Sequence, residues 1–228
     1  MMHYQHRWYD GEEPVEGITP GKIICVGRNY AAHAAELGNE IPEEPVLFMK
    51  PSTAFQSMSA GVSLTPRTEP VHYELEIAVL IGETLSHATR EQARQAVMGF
   101  GLGLDLTLRE TQTRLKHKGY PWERAKAFDG SCPMSPFVSA EKFNDWQSVT
   151  FHLSINQQVK QQGHTAHMLF PIEQLLIEIS KQFTLLPGDV VLTGTPEGVG
   201  ALSEGDHLFM TLADELSCRT DITFQGGA

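Results

Sequence analysis

The sequence predicts a single mixed α/β domain in which β-structure dominates the second half. Three observations lead there. A chain of 228 residues, 41% hydrophobic and 20% charged, can bury one sizeable core and has the composition of an ordinary globular protein. Its apolar runs are short, β-rich and closed by Gly, Pro or Gly-Asp turns, and helical periodicity surfaces in few places. No internal repeat, low-complexity stretch or linker divides it.

Taken in order, residues 1–20 read as a loosely structured lead-in that closes at the Pro20-Gly21 turn, and residues 21–228 as the domain proper. Lys22–Val26 (KIICV) is a β-rich run that breaks at Gly27. Ala-rich Asn29–Leu37 is a short helix stopped by Gly38. Pro45–Lys50 is a strand ended by Pro51. Val71–Gly82 (VHYELEIAVLIG) alternates, placing His72, Glu74 and Glu76 on one strand face. Thr89 and Gln92 have capping-box spacing and open a helix over Arg90–Met98. Phe100–Leu106 (FGLGLDL) is a strand whose alternate glycines permit close backbone approach. Residues 107–136, with Gly119, Pro121, Gly130, Pro133 and Pro136, form a long irregular connection of the kind that carries function. Phe151–Ile155, Asn156-Gln157-Gln158 and Val159–Gln161 make a hairpin. Ile172–Phe183 is an amphipathic helix, and the Gly188-Asp189 and Gly205-Asp206 turns feed the strands Val190–Thr193 and His207–Leu212.

The net charge of −11 argues against a nucleic-acid surface, which needs clustered Lys and Arg. Apolar runs such as Ile77–Ile81 are too short to span a bilayer, and the first residues lack the apolar region of a secretory signal. Cys25, Cys132 and Cys218 are odd in number and widely spaced. Together these features lead to the expectation of a cytoplasmic protein with reduced thiols, without a membrane or nucleic-acid partner.

The chemistry-bearing residues begin with Glu74 and Glu76, whose spacing on a strand is roughly 6.5–7 Å along the backbone, close enough to converge on one hard cation. An ordinary amphipathic strand fits the same pattern. Asp105, set in a Gly-rich apolar run, supplies a third carboxylate or a turn cap; three oxygen ligands describe a Mg²⁺ or Mn²⁺ site. His33 and Glu36, at i and i+3, can form a water-activating dyad or an exposed ion pair. Lys126, flanked by aromatics, can polarise a carbonyl or lie on the surface. Arg109 and Gln112 can grip a carboxylate, and Thr193–Gly200 (TGTPEGVG) offers backbone N–H groups and the Thr195 hydroxyl to an anion, or is a tight turn.

Six blocks in order, CVGRNYAAH (25–33), EEPVLFMKPSTAF (43–55), VHYELEIAVLIG (71–82), GLDLTLRETQ (103–112), PWERAKAFDGSCP (121–133) and LTGTPEGVG (192–200), resemble the fumarylacetoacetate hydrolase superfamily in its short acylpyruvase branch. The resemblance spans Lys22 to about Leu212. It implies an α+β fold, a mixed β-sandwich or β-roll with short flanking helices, assembled as a homodimer. It implies a Mg²⁺ or Mn²⁺ ion on Glu74, Glu76 and Asp105, a His33–Glu36 dyad on a mobile lid helix, Lys126 as catalytic lysine, and Arg28, Arg109, Gln112 and Thr195 as substrate contacts. The implied activity is hydrolysis of the C–C bond of acylpyruvates and other 2,4-dioxo acids to pyruvate and a carboxylic acid, through a metal-bound enolate. Oxaloacetate decarboxylation, keto–enol tautomerisation and isomerisation of a hydroxymuconate-type dienoate share that enolate and are the alternatives. A metal-binding scaffold without turnover is the non-enzymatic one.

Overall fold

Seven consecutive buried residues, Leu75–Ile81, form the middle of the molecule, and a strand with no exposed face must be covered on both sides. In the computed structural model, which describes residues 4–11 and 13–225, this strand lies between Val190–Leu192 and Val97–Leu104, antiparallel to both. The eight-stranded sheet continues outward through Ile23–Gly27 to Val46–Lys50 on one side, and through Cys132–Met134 to Phe55–Ser57 on the other; Val138–Ser139 also pairs with Val97–Leu104. Most pairings are antiparallel; Ile23–Gly27 runs parallel to Val190–Leu192, as does Phe55–Ser57 to Cys132–Met134.

Alternate residues of the same strands enter two separate cores. Ile24, Val26, Ile77, Val79, Ile81 and Val191 face the larger one. It is closed by a five-stranded sheet ordered Gln158–His164, Thr150–Ile155, His207–Leu212, Leu216–Phe224 and Val62–Leu64, and by the amphipathic helix Ile172–Gln182. Ile23, Cys25, Ala78, Leu80, Val190 and Leu192 face the smaller core, which is covered by Val15, Tyr4, Trp8 and Ile18. The expectation of a loose lead-in is therefore corrected: the second face of the sheet needs a cover, and the N-terminal segment provides it. Tyr9 N–H donates to Phe137 O at 2.7 Å, Phe137 N–H to Arg7 O at 2.8 Å, and buried His6 bonds Gly188 O through Nε2 at 3.0 Å.

Among the described residues five α-helices complete the fold: α1 Ala31–Glu36, α2 Arg90–Gln95, α3 Arg109–His117, α4 Glu123–Lys126 and α5 Ile172–Gln182. Gly38, at φ 63°, ends the turn after α1, a conformation that favours glycine. Thr89 and Gln92 form both bonds of the capping box at the start of α2, which stops at Gln95 because Val97 already belongs to a strand. In the predicted hairpin, Asn156 and Gln157 both adopt positive φ, as a two-residue turn of this kind requires. The connection over residues 107–136 is not irregular: it holds a two-residue strand, α3, α4 and Cys132–Met134. The pairings reproduce the α+β, sheet-dominated architecture expected, with only short helices at its flanks. Cys25, Cys132 and Cys218 are all free thiols, and no described helix is long and apolar enough to cross a membrane.

Candidate active site

The predicted strand Val71–Gly82 breaks at Glu74, and that break builds the site. Val71–Tyr73 pairs with Thr107–Leu108 and Gly200–Ala201 in a small three-stranded sheet, whereas Leu75–Ile81 belongs to the large one. Glu74 stands at the crossing. Its carbonyl accepts Asp105 N–H at 2.8 Å, just past the end of Val97–Leu104. Glu76 lies two positions further along, opposite Gly103. Ligand oxygens of Glu74, Glu76 and Asp105, all buried, thus fall within 4.8 Å of one another. His72, on the smaller sheet, is outside this cluster, contrary to a single continuous face.

Three buried carboxylates at this spacing repel one another unless cations intervene. Lys126 Nζ, at the end of α4, donates to Glu74 Oε2 at 2.7 Å, Asp105 Oδ2 at 2.6 Å and Thr107 Oγ1 at 2.6 Å. Arg109, first residue of α3, donates to Glu74 Oε1 and, at 2.8 Å, to Gln112 Oε1. Burial alone would raise the pKa of Glu74, but Lys126 and Arg109 hold it well below the usual carboxylate range. Among the described residues Glu76 forms no ion pair: burial, then Asp105 and Glu74, push its pKa well above that range, against the weaker pull of Lys126 and of the Gly194 N–H, which donates to it at 2.6 Å. For Lys126, burial works against the charge, and Asp105 and Glu74 outweigh it and raise the pKa. Asp105 Oδ1 sits 2.9 Å from Lys50 Nζ but at angles outside hydrogen-bond geometry, so this buried oxygen accepts no hydrogen bond. An all-oxygen donor set with an unsatisfied buried acceptor fits a hard divalent cation such as Mg²⁺ or Mn²⁺.

On α1, His33 Nδ1 bonds Glu36 Oε2 at 3.1 Å, so the Nδ1–H tautomer leaves Nε2 as an acceptor. The other oxygen of Glu36 accepts Gly198 N–H at 3.0 Å. The TGTPEGVG loop therefore spends two N–H groups on the protein's own carboxylates, Gly194 on Glu76 and Gly198 on Glu36. The Thr195 hydroxyl donates to Leu75 O at 2.8 Å and accepts from Gln161 Nε2 at 2.8 Å.

Nine of the ten residues singled out from the sequence line one narrow cavity of about 40 Å³: Arg28, His33, Glu74, Glu76, Asp105, Arg109, Gln112, Lys126 and Thr195. Glu36 stands behind His33. Sequence reasoning missed Lys50 and Lys116. Lys50 is buried, pairs with Asp105 and donates to Ser131 O at 3.0 Å and Ser131 Oγ at 3.1 Å; its only signal was a lysine ending an apolar strand. Lys116 lines the cavity, seven residues beyond Arg109 on α3, a spacing with meaning only once residues 109–117 are helical.

A family model described as fumarylacetoacetate (FAA) hydrolase C-terminal matches residues 22–223. The chain belongs to the fumarylacetoacetate hydrolase family. Within that family it is 49% identical over 213 residues to oxaloacetate tautomerase YcgM of Escherichia coli, covering 92% of this chain and 95% of that protein. It is 41% identical over 186 residues to mitochondrial oxaloacetate tautomerase FAHD1 of Homo sapiens, covering 82% and 84%. Among solved structures it is similar to a fumarylpyruvate hydrolase from Pseudomonas aeruginosa in complex with Mn²⁺ and pyruvate, with a TM-score of 0.89 and 30% identity over 99% of this chain and 97% of that one.

Proposed function

We propose that this protein interconverts the keto and enol forms of oxaloacetate or a closely related 2-oxo dicarboxylic acid, using a divalent metal ion. The observation that carries this reading is the His33–Glu36 dyad, whose acceptor nitrogen belongs to a residue lining the same cavity as the three carboxylates. Glu36 fixes the ring, and His33 Nε2 takes the C3 proton of the bound 2-oxo acid. The C–H electron pair becomes the C2–C3 double bond, and negative charge builds on the 2-oxo oxygen. Lys126 and Arg109 line the cavity and offset the carboxylate charge that would oppose it. Return of the proton to the oxygen gives the enol, and the reverse sequence gives the ketone. A cation held by Glu74, Glu76 and Asp105 supplies Lewis-acid polarisation of the 2-oxo group when bound.

The relatives named above that align over most of their length at 49% and 41% identity are oxaloacetate tautomerases, which supports this reaction over hydrolysis. Hydrolysis of acylpyruvates is the second reading. Its support is the same dyad, able to activate water, and the likeness to a fumarylpyruvate hydrolase.

The test follows ultraviolet loss of oxaloacetate enol with Mg²⁺ or Mn²⁺, beside pyruvate release from acetylpyruvate, for the wild type and His33→Ala. Accelerated enol loss that falls 10²–10⁴-fold in the variant supports tautomerisation. Pyruvate release from acetylpyruvate without enol turnover would replace it with hydrolysis.

A further inference from the structure

Helix α3 presents Arg109, Gln112 and Lys116 at i, i+3 and i+7, one face of a helix, and all three line the cavity. The first two are committed: Arg109 to Glu74 and Gln112, and Gln112 to Arg109. Lys116 is not. Among the described residues its ammonium donates only to Asn39 Oδ1, at 2.8 Å, a neutral acceptor. Arg28, from the loop before α1, lines the same cavity in a left-handed backbone conformation (φ 60°) and makes no hydrogen bond or ion pair among the described residues. Partial burial, then Arg28 and Arg109, lower the pKa of Lys116, so the cations lie close enough to feel one another.

The charges of the cavity divide accordingly. Lys126 and Arg109 are paired with the carboxylates at the deep end, and among the described residues Arg28 and Lys116 have no carboxylate. Two unpaired cations at one cavity favour an anion between them. Resting on the 2-oxo acid reading above, we infer that Lys116, together with Arg28, recognises a second carboxylate on the substrate and selects dicarboxylic over monocarboxylic 2-oxo acids.

The test uses two inert probes that differ by that carboxylate, malate and lactate, titrated calorimetrically into the full chain with Mg²⁺ present. The expected result is malate binding at least about tenfold tighter than lactate to the wild type, the cost of one charge-assisted contact. Lys116→Met removes that advantage and leaves lactate affinity unchanged, Lys116→Arg retains most of it, and Asn39→Ala retains it because the carbonyl is only a resting partner. In turnover, Lys116→Met raises the KM for oxaloacetate by a similar factor. The inference is overturned if malate gains nothing over lactate on the wild type, whether both or neither bind. It is equally overturned if Lys116→Met keeps the advantage, or if Asn39→Ala reproduces its loss. If the malate preference depends on Lys116 but oxaloacetate enol is not turned over, the inference stands and the reaction proposed above falls.

Discussion

Glu36 and Gly198 meet across 162 residues of chain: the Gly198 N–H donates to Glu36 Oε1 at 3.0 Å while Oε2 of the same carboxylate holds His33. The dyad is thus anchored to the TGTPEGVG loop as well as to its own helix. Glu36→Gln keeps an acceptor for Gly198 but turns an N–H towards His33 Nδ1, which reverses the tautomer and removes the acceptor at Nε2. Turnover falls 10²–10⁴-fold while the thermal midpoint moves by no more than a few degrees. A fully active Glu36→Gln protein refutes the dyad.

Lys50→Met removes the cation beside buried Asp105 and leaves the Ser131 carbonyl and hydroxyl without their lysine donor. Breaking a buried ion pair from one side costs about 3–5 kcal/mol, to be read from the urea midpoint at constant m-value. A loss below about 1 kcal/mol would show that the pair contributes little to folding.

His6 makes the N-terminal cover sensitive to acid. Burial, only partly opposed by its bond to Gly188 O, lowers its pKa from 6.5 to about 4. The unfolded chain therefore binds the proton more readily than the folded one. Its contribution is complete above about pH 6.5 and is lost as the pH falls towards 4, a difference of about 3 kcal/mol. His6→Gln flattens this part of the stability–pH curve; an unchanged slope between pH 6.5 and 4 excludes His6 as its source.

Added Mg²⁺ or Mn²⁺ raises the thermal midpoint, by an amount equivalent to about 2.7 kcal/mol at a hundred times Kd, and a chelator reverses it. Glu76→Gln, which removes one of the three converging oxygens, loses most of that shift. A rise of equal size in the variant would place the ion elsewhere.

Much of this was legible in the sequence, and for identifiable reasons. The buried strands announce themselves as apolar runs, and Thr89 with Gln92 marks a helix start that the structure forms bond for bond. The carboxylates were legible as residue types at a spacing, but their convergence was not. It depends on the chain leaving one sheet for another at Glu74, and strand periodicity carries no trace of that change. Helix α3 stayed hidden because RETQTRLKH has one buried apolar residue, Leu115, and no side-chain cap at Leu108. The packed lead-in was hidden for a different reason: its partners, Phe55, Phe137 and Gly188, lie far along the chain.

The crossing at Glu74 divides the molecule into a slow part and a fast part. Glu76 sits in an entirely buried strand paired on both sides, so its amide can exchange with solvent only when the central sheet itself opens. The helix bearing His33 is six residues long, buries only His33 and Ala34, and can open one turn at a time. In deuterium labelling the Glu76 amide therefore exchanges on the timescale of sheet opening, and the His33 amide on the timescale of a fraying helix. Glu76 and His33, proposed above for the ion and for the proton, thus sit on parts of the fold that open at different rates.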